Sequence, residues 1–312
     1  MSFKNTIKLV VSNFSCFWKL LLYYLVAIIV VAALWAPICL PTIEACENAQ
    51  VFSVLGNFFT KLNVANFESV FVWLLMLAKN IISAFVFLLS TNLGAAIYLC
   101  VFAGFIVPFV FGLCELAICE NLFGFMSSLT KYSFAGTLLR KIGKTALLQL
   151  FKTLIMLPIN VAILVSCYFS LTLLELGGAF LSVAPLIFSI VVCLGVSLKI
   201  TIFGGFAPSL VVMDYKSLFK AFGEGVCVFA KKFFTTLSSC LVIVVFMYML
   251  CLVFGLYILL IVVPLASLCT YTLSMVVYYE SRGMRYYVDR QTIITSKKFE
   301  ELDTYKKMKP II

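Results

Sequence analysis

Residues 215–232, with the sequence YKSLFKAFGEGVCVFAKK, form a basic, one-sided segment that runs directly into an apolar stretch. At helical spacing, the polar side chains of this segment fall on one stripe and its large apolar side chains fall opposite. The polar stripe consists of Lys216, Lys220, Glu224 and Lys231, and the apolar stripe of Phe219, Phe222, Val226 and Phe229. The pattern predicts a helix at a membrane surface that leads into a transmembrane helix.

The same pattern opens the chain and recurs once more within it. The first copy has the polar stripe Lys4, Lys8, Ser12, Ser15 and Lys19, opposite Ile7, Val11, Phe14 and Trp18. A further copy places Lys141 and Lys152 where Lys8 and Lys19 stand in the first. Three copies predict three units, at approximately residues 1–125, 126–210 and 211–280, each a basic amphipathic helix followed by a transmembrane hairpin.

The composition indicates a membrane protein. Apolar residues make up 64% of the chain and charged residues 12%. Apolar runs of about 18 residues recur along the chain, and a helix needs this length to cross the bilayer core. The runs are apolar on all sides, which excludes the alternating strands of a β-barrel. We therefore predict an all-α polytopic membrane protein, with one transmembrane domain over residues 1–280 and a basic cytoplasmic tail over residues 281–312.

The number of spans depends on residues 70–117, which are long enough to cross the bilayer twice. Two crossings give seven spans and place the basic connection of residues 125–150 outside the cell. One crossing gives six spans and leaves every Lys and Arg inside except Lys61 and Lys79. Because basic residues are retained on the cytoplasmic side, the charge distribution favours six spans in the plasma membrane, with both termini cytoplasmic. Seven spans are the alternative.

The six-span prediction assigns a role to each apolar run. Residues 67–82 become an outer interfacial or re-entrant helix, and residues 83–112 become one long, tilted span. The other spans are predicted at residues 21–40, 153–174, 179–203, 233–254 and 256–279. Three prolines lie inside spans, where neighbouring helices can satisfy the freed backbone groups: Pro158, Pro185 and Pro264.

The net charge of +10 points to anionic lipid headgroups at the cytoplasmic face. Nucleic-acid binding is not expected, because it requires a basic face on a polar domain and the sequence contains no such domain. The alternative partner is another membrane protein. The candidate headgroup contacts are Lys4, Lys8, Lys19, Lys141, Lys152, Lys216, Lys220, Lys231 and Lys232.

The sequence offers no catalytic, cofactor or metal residues, and we predict that the protein is not an enzyme. Histidine is absent, which removes histidine-based nucleophilic catalysis and histidine metal sites. The three aspartates lie in polar connections and the tail, so no intramembrane pair forms. The run Gly143-Lys144-Thr145 follows Gly136 with six intervening residues, whereas a phosphate-binding loop has four.

Three ionisable residues near or within apolar runs form a candidate intramembrane polar site: Glu115, Glu120 and Lys199. Charged groups at this depth are costly and mark functional sites. Lys199 comes about 20 residues after the predicted outer turn at Gly178, so it should lie about 30 Å below it, at the inner boundary. We expect Lys199 either to pair with Glu115 or Glu120 or to extend to the headgroups.

Several short motifs resemble those of a broad group of uncharacterised bacterial six-span proteins. These are GFAP at residues 205–208 before Asp214, SLFKA at 217–221, KK at 231–232, and GFIVP at 104–108. The group includes the membrane domain found beside some glycerophosphodiester phosphodiesterases, and the resemblance covers roughly residues 90–280. It implies six helices with interfacial helices on the cytoplasmic face. It implies no activity, because the acidic and histidine residues of the phosphodiesterase domain are missing.

Two classes of function fit this sequence. The prediction is a non-enzymatic membrane module that binds anionic lipid or a partner protein through its repeated basic helices. The alternative is a small-solute transporter or permease, indicated by Glu115, Lys199 and the prolines within spans, since transporters carry internal repeats and interrupted helices. A polar cavity that reaches the middle of the bilayer would favour the transporter, and a solid apolar centre would favour the module.

Overall fold

The computed structural model describes residues 2–62, 67–177, 180–214, 217–254 and 258–294, which form fifteen α-helices and one short β-hairpin. The first eight helices are α1 (Ser2–Ser12), α2 (Ser15–Trp35), α3 (Cys39–Asn48), α4 (Val51–Leu62), α5 (Phe67–Thr91), α6 (Leu93–Val101), α7 (Val107–Gly112) and α8 (Glu115–Ser128). The others are α9 (Phe134–Arg140), α10 (Ile142–Thr172), α11 (Phe180–Phe203), α12 (Phe206–Val212), α13 (Leu218–Ala230), α14 (Phe233–Phe254) and α15 (Leu259–Arg282).

Seven helical stretches in this part of the chain are long and apolar enough to cross a membrane. They are Ser15–Asn48, Val70–Thr91, Leu93–Ser128, Ile142–Leu176, Val183–Val212, Phe233–Cys251 and Leu259–Arg282. The prediction of an all-α, multi-pass membrane protein is confirmed. Lys216 and the tail beyond residue 294 lie outside the described residues.

The predicted long span of residues 83–112 is wrong in its boundaries. Helix α5 continues to Thr91, and the side chain of Asn92 caps the next helix by accepting a hydrogen bond from the Ala95 amide at 3.0 Å. Asparagine favours this role because its short side chain satisfies an amide at a helix start. The chain therefore breaks at Asn92, and Leu93 begins the stretch that runs to Gly112.

Helix α2 and the stretch α6–α7 pack antiparallel. The Tyr98 hydroxyl donates to the Leu34 carbonyl, and the Tyr23 hydroxyl donates to the Val110 carbonyl. Helices α1 and α13, which carry most of the first and third predicted basic stripes, lie at the end of the bundle near Tyr23, and so does α9, which ends at Arg140. We call this the basic end, and the end near Leu34 the far end.

Both halves of α5 lie at the far end. Its first half packs through Phe71 against Leu171 and Leu174, near the end of α10. Its second half packs through Leu88 against Ile38, which follows α2. Lys79, between these two contacts, forms an ion pair with Glu175. Helix α5 thus touches the far ends of several other helices along most of its length.

The basic end is closed by a large apolar core. Its members come from α1, α2, α8, α12, α13, α15 and the β-hairpin, and include Leu9, Leu20, Leu122, Phe206, Met275 and Tyr286. The hairpin pairs Tyr286–Tyr287 with Ile293–Ile294 in an antiparallel ladder. In its turn, the backbone amide of Gln291 and the hydroxyl and amide of Thr292 donate to Asp289, and these bonds hold the pKa of that carboxyl below its usual range.

Two glycines bring α12 and α13 into direct backbone contact. A Cβ atom on Gly205 would lie 2.5 Å from the carbonyl oxygen of Gly225, so neither position accepts a larger residue without movement. The Ser209 hydroxyl adds a hydrogen bond to the Ala221 carbonyl at 2.8 Å. The motif GFAP therefore begins a short helix that contacts α13, whereas the similar GFIVP at residues 104–108 joins a π-helix to α7, so the local structures of the two motifs differ.

Short helices precede three of the long apolar helices: α1 precedes α2, α9 precedes α10, and α13 precedes α14. In the second case the predicted lysines lie outside the short helix, since Lys141 follows α9 and Lys152 lies within α10. The bends between them do not coincide with the sequence repeat, however. The chain bends at Asn13 in the first case and at Lys231 in the third. A shift of 212 positions, which superposes Lys8 on Lys220, instead aligns Lys19 with Lys231. The stripe of charges is repeated, but its position relative to the bend differs.

Candidate functional site

A cavity of about 250 Å³ lies within the helix bundle, between α2, α7, α10, α11, α15 and the first turn of α8. Its lining combines three ionisable side chains with several neutral polar ones. The polar lining consists of Glu115, Gln149, Lys152, Thr153, Asn160, Lys199, Thr270, Tyr271 and Ser274. The apolar part of the wall includes Tyr24, Phe111, Met156, Ile200 and Phe203.

Glu115 is the buried anion of this cavity, since only 3% of the residue is exposed. The Lys152 ammonium donates to both carboxylate oxygens at 2.7 and 2.6 Å, and the Gln149 amide donates to one of them at 2.7 Å. Glu115 also begins α8, where a negative charge is stabilised by the helix dipole. A buried carboxylate needs this full set of partners, because an unpaired charge in an apolar interior is costly.

The backbone before Glu115 leaves steric room for these partners. A Cβ atom on Gly112 would lie 2.2 Å from the Gln149 side-chain oxygen, so glycine at this position leaves room for the amide that contacts Glu115. One turn earlier, Phe102–Ile106 form a π-helix that leads into Pro108. Proline cannot donate a backbone bond, and π-turns often accompany functional sites. Pro108 itself lines the cavity.

Lys199 is the second ammonium of the cavity. It donates to the side-chain oxygen of Asn160 at 2.8 Å. Among the described residues its partner is thus a neutral amide, and the expected ion pair with Glu115 or Glu120 is not formed. Lys199 lies nineteen residues after Phe180 in α11, which corresponds to about 28 Å along the helix. It is half-buried and lines the cavity, and its depth in a membrane stays a prediction.

Glu120 does not belong to this cavity. It forms ion pairs with Lys141 at 2.6 Å and Arg140 at 3.3 Å, both at the junction of α9 and α10. The candidate polar site predicted from sequence thus divides into two: Glu115 and Lys199 line one cavity, whereas Glu120 joins α8 to the basic end. The division arises because successive turns of α8 direct these two glutamates toward different neighbours.

The predicted headgroup lysines also separate into two sets. Lys4, Lys8, Lys220 and Lys231 are exposed, and Lys19 is half-buried. Lys152 is instead paired inside the cavity, Lys141 is paired with Glu120, and Lys232 is paired with Glu280 at 2.8 Å. For these three, an internal carboxylate replaces the expected lipid headgroup.

Gln149 and Asn160 were not predicted as site residues, although the sequence of α10 contains a pattern that includes them. The polar and flexible side chains of this helix that line the cavity recur at helical spacing: Gln149, Lys152, Thr153, Met156 and Asn160. A polar stripe on an otherwise apolar helix indicates a face turned toward other protein groups or water. The same holds for Thr270, Tyr271 and Ser274 on α15.

A second, apolar cavity adjoins the first. It is lined by residues of α2 and α15, among them Leu25, Ile28 and Val263, and by Phe111. Tyr24 and Phe111 border both cavities, and their rings meet edge to face at a centroid distance of 5.3 Å. The Tyr24 hydroxyl is held by a 2.8 Å hydrogen bond with Ser267. This aromatic pair separates the polar cavity from the apolar one.

Within the described residues, no group of His, Cys, Asp and Glu side chains has the arrangement to hold a metal ion. The cavity can instead bind a molecule through charged and hydrogen-bonding side chains. No protein-family model, curated protein or solved structure matches this chain in the comparisons made with each.

Proposed function

We propose that this protein is a permease-like membrane protein that binds a small polar solute in the cavity around Glu115, Lys152 and Lys199. The observation that carries the proposal is the cavity itself. Ionisable side chains inside a membrane bundle face the bundle interior or a water-filled space, and they mark solute or ion pathways. An apolar centre would have supported the membrane module predicted from sequence, and the polar cavity supports the alternative.

Helix irregularities next to the cavity support the same function. Transporters bind solutes near the middle of the bilayer, where interrupted helices expose polar backbone groups. Here the π-helix and Pro108 lie on one side of the cavity, and Pro158 lies within α10 between Lys152 and Asn160. These features lie beside the polar side chains, and the chemistry they favour is binding and movement of a solute.

The proposed topology has six spans in the plasma membrane, with the basic end and both termini in the cytoplasm. Helix α5 would lie along the outer surface. Its packing against residues near Leu174 at one end and Ile38 at the other supports this arrangement, because a crossing helix would have only one end there. The positive-inside rule supports the same orientation, since α1, α9 and α13 share one end.

Epitope tags inserted in the full-length protein test this topology. A tag after Asn92 should be accessible from outside the cell, and a tag after Ser128 should be accessible only after permeabilisation. Seven spans would reverse both results, since Val70–Thr91 would then cross the membrane. A tag at the N-terminus provides the control, because both models place it inside.

The function is tested with the purified full-length protein in lipid nanodiscs. A panel of small polar solutes, covering anions, cations, zwitterions and neutral molecules, should include at least one that raises the melting temperature and is taken up by proteoliposomes. The variant Lys199→Gln should lose both effects, whereas Lys231→Gln, which changes an exposed lysine outside the cavity, should retain them. Binding and uptake that are identical in wild type and Lys199→Gln would contradict the proposal.

The membrane-surface module is a second candidate, favoured by the surface of α1. One face of this helix packs on α15 through Asn5 and Leu9, and a second face exposes large apolar side chains beside lysines. The exposed side chains of α1 are Ile7 and Val11, with Lys4 and Lys8 adjacent, and Phe14 and Trp18 at the start of α2 are exposed as well. This arrangement suits the headgroup region of an anionic bilayer, and it is compatible with a solute site elsewhere in the same protein.

A further inference from the structure

The charges that line the polar cavity do not balance. Lys152 and Lys199 contribute two positive charges, and Glu115 contributes one negative charge. Glu115 is engaged with Lys152 through two short contacts, so this pair is neutral as a unit. The remaining charge of +1 belongs to Lys199, which is offset only by the dipole of Asn160 among the described residues. A charge inside a bundle is stabilised by an opposite charge, and a bound anion would supply it.

Lys199 also has hydrogen-bonding capacity for a ligand. An ammonium group has three N–H donors, and the contact with Asn160 uses one of them. The cavity adds the hydroxyl group of Ser274, whereas the Thr270 hydroxyl already donates to the Ala266 carbonyl at 2.7 Å. By contrast, Glu115 already accepts three hydrogen bonds from Lys152 and Gln149, and its charge is matched by the Lys152 ammonium.

The size and walls of the cavity restrict the ligand further. A volume of about 250 Å³ corresponds to roughly eight water molecules at about 30 Å³ each, which is the size of a small organic molecule. Part of the wall is apolar, with Phe111, Met156 and Phe203. A doubly charged anion would exceed the single uncompensated charge. A singly charged head with a short apolar body matches both the charge and the walls.

We propose that the cavity binds a small organic monoanion, such as a short monocarboxylate, whose anionic group pairs with the Lys199 ammonium while its apolar body lies against Phe111 and Met156. This assignment rests on the proposed solute-binding function and names the chemical class of the solute. Lys152 acts as a positioning residue that neutralises Glu115, and Lys199 is the residue that contacts the ligand.

The test uses the full-length protein in nanodiscs and three probes with the same carbon skeleton: butyrate, butyramide and butylamine. Isothermal titration should show binding of butyrate, and the neutral and cationic probes should bind at least tenfold more weakly. Lys199→Gln should abolish butyrate binding, and Lys199→Arg, which keeps the charge, should retain it within about tenfold. Lys231→Gln should bind as wild type does. Size-exclusion chromatography and melting temperature establish that each variant is folded.

The outcomes separate this inference from the proposed function. Butyramide or butylamine binding as tightly as butyrate would overturn the anionic assignment and leave a solute site in place. Butyrate binding that survives in Lys199→Gln would overturn the role of Lys199. Failure of all three probes overturns the inference. Failure of the wider panel of polar solutes as well overturns the proposed function.

Discussion

Glu115, which is buried, and Glu280, which is half-buried, each bind a lysine, but their surroundings differ. Glu280, at the end of α15, accepts hydrogen bonds from Ser2, Asn5, Lys232 and Tyr286, at distances from 2.6 to 3.3 Å. These donors come from the N-terminal helix, the bend before α14 and the β-hairpin. Glu115 accepts hydrogen bonds from Lys152 and Gln149, both in α10, and borders a cavity that contains a second lysine.

The difference distinguishes a structural cluster from the proposed binding site. Around Glu280, donors from distant parts of the chain converge on one carboxylate, which fastens the termini of the transmembrane domain to each other. The cavity beside Glu115 is lined by two lysines and one carboxylate, so its lining carries one more positive charge than negative charge. A surplus charge next to a cavity costs stability, and such costs occur where a site is arranged for a ligand.

The largest expected effect on stability follows from replacing Lys152. The variant Lys152→Met would leave Glu115 buried without a positive partner, which destabilises a protein by about 3–5 kcal/mol. Thermal unfolding in detergent should show a correspondingly large decrease in melting temperature. The double variant Glu115→Gln/Lys152→Met should recover most of the loss, since it removes both charges. If the double variant is as unstable as Lys152→Met, the pair does not account for the effect.

A smaller loss of stability is expected for Lys232→Met. Glu280 would keep the hydroxyl of Ser2, the amide of Asn5 and the hydroxyl of Tyr286, so only one charge-assisted hydrogen bond would be removed, at about 1.5–3 kcal/mol. The same unfolding measurement checks this value against Lys152→Met. A larger loss for Lys232→Met than for Lys152→Met would reverse the comparison between the two glutamates.

An effect on ligand choice is expected at the aromatic pair that separates the two cavities. The variant Phe111→Ala should connect them, so that carboxylates with longer chains than butyrate gain space along α2. We expect octanoate to bind about tenfold more tightly to Phe111→Ala than to wild type, which equals about 1.4 kcal/mol. Titration with a series from acetate to octanoate measures this. An unchanged length preference would show that Phe111 does not limit the site.

The smallest expected effect on stability is that of Lys199→Met, and it is opposite in sign to the losses expected for Lys152→Met and Lys232→Met. Lys199→Met removes a partly buried ammonium whose partner among the described residues is a neutral amide, and it should leave the protein equally stable or more stable by up to about 1 kcal/mol. Thermal unfolding without added ligand measures the change. A decrease comparable to that of Lys152→Met would mean that Lys199 has a structural role like that of Lys232, and the distinction between the two regions would fail.

Much of the architecture was predictable from local patterns. The apolar runs fix the helical, multi-pass class, because backbone groups in a bilayer must bond within their own segment. The spacing of Lys4, Lys8, Ile7 and Val11 predicts a helix, and α1 is one, with these four side chains exposed; its location at a membrane surface stays a prediction. The end of α5 was missed, since the capping bond of Asn92 outweighs the apolar continuity of residues 83–112.

The sequence by itself thus determined the helices, the basic end and the presence of Glu115 and Lys199 in apolar surroundings. Only the tertiary structure decided their partners. Lys199 bonds to Asn160 across 39 positions of sequence, and Glu115 to Lys152 across 37, so neither pairing is encoded by local spacing. Such pairings follow from how α8, α10 and α11 pack, and packing places a charge beside whichever neighbour the rigid helices bring within reach.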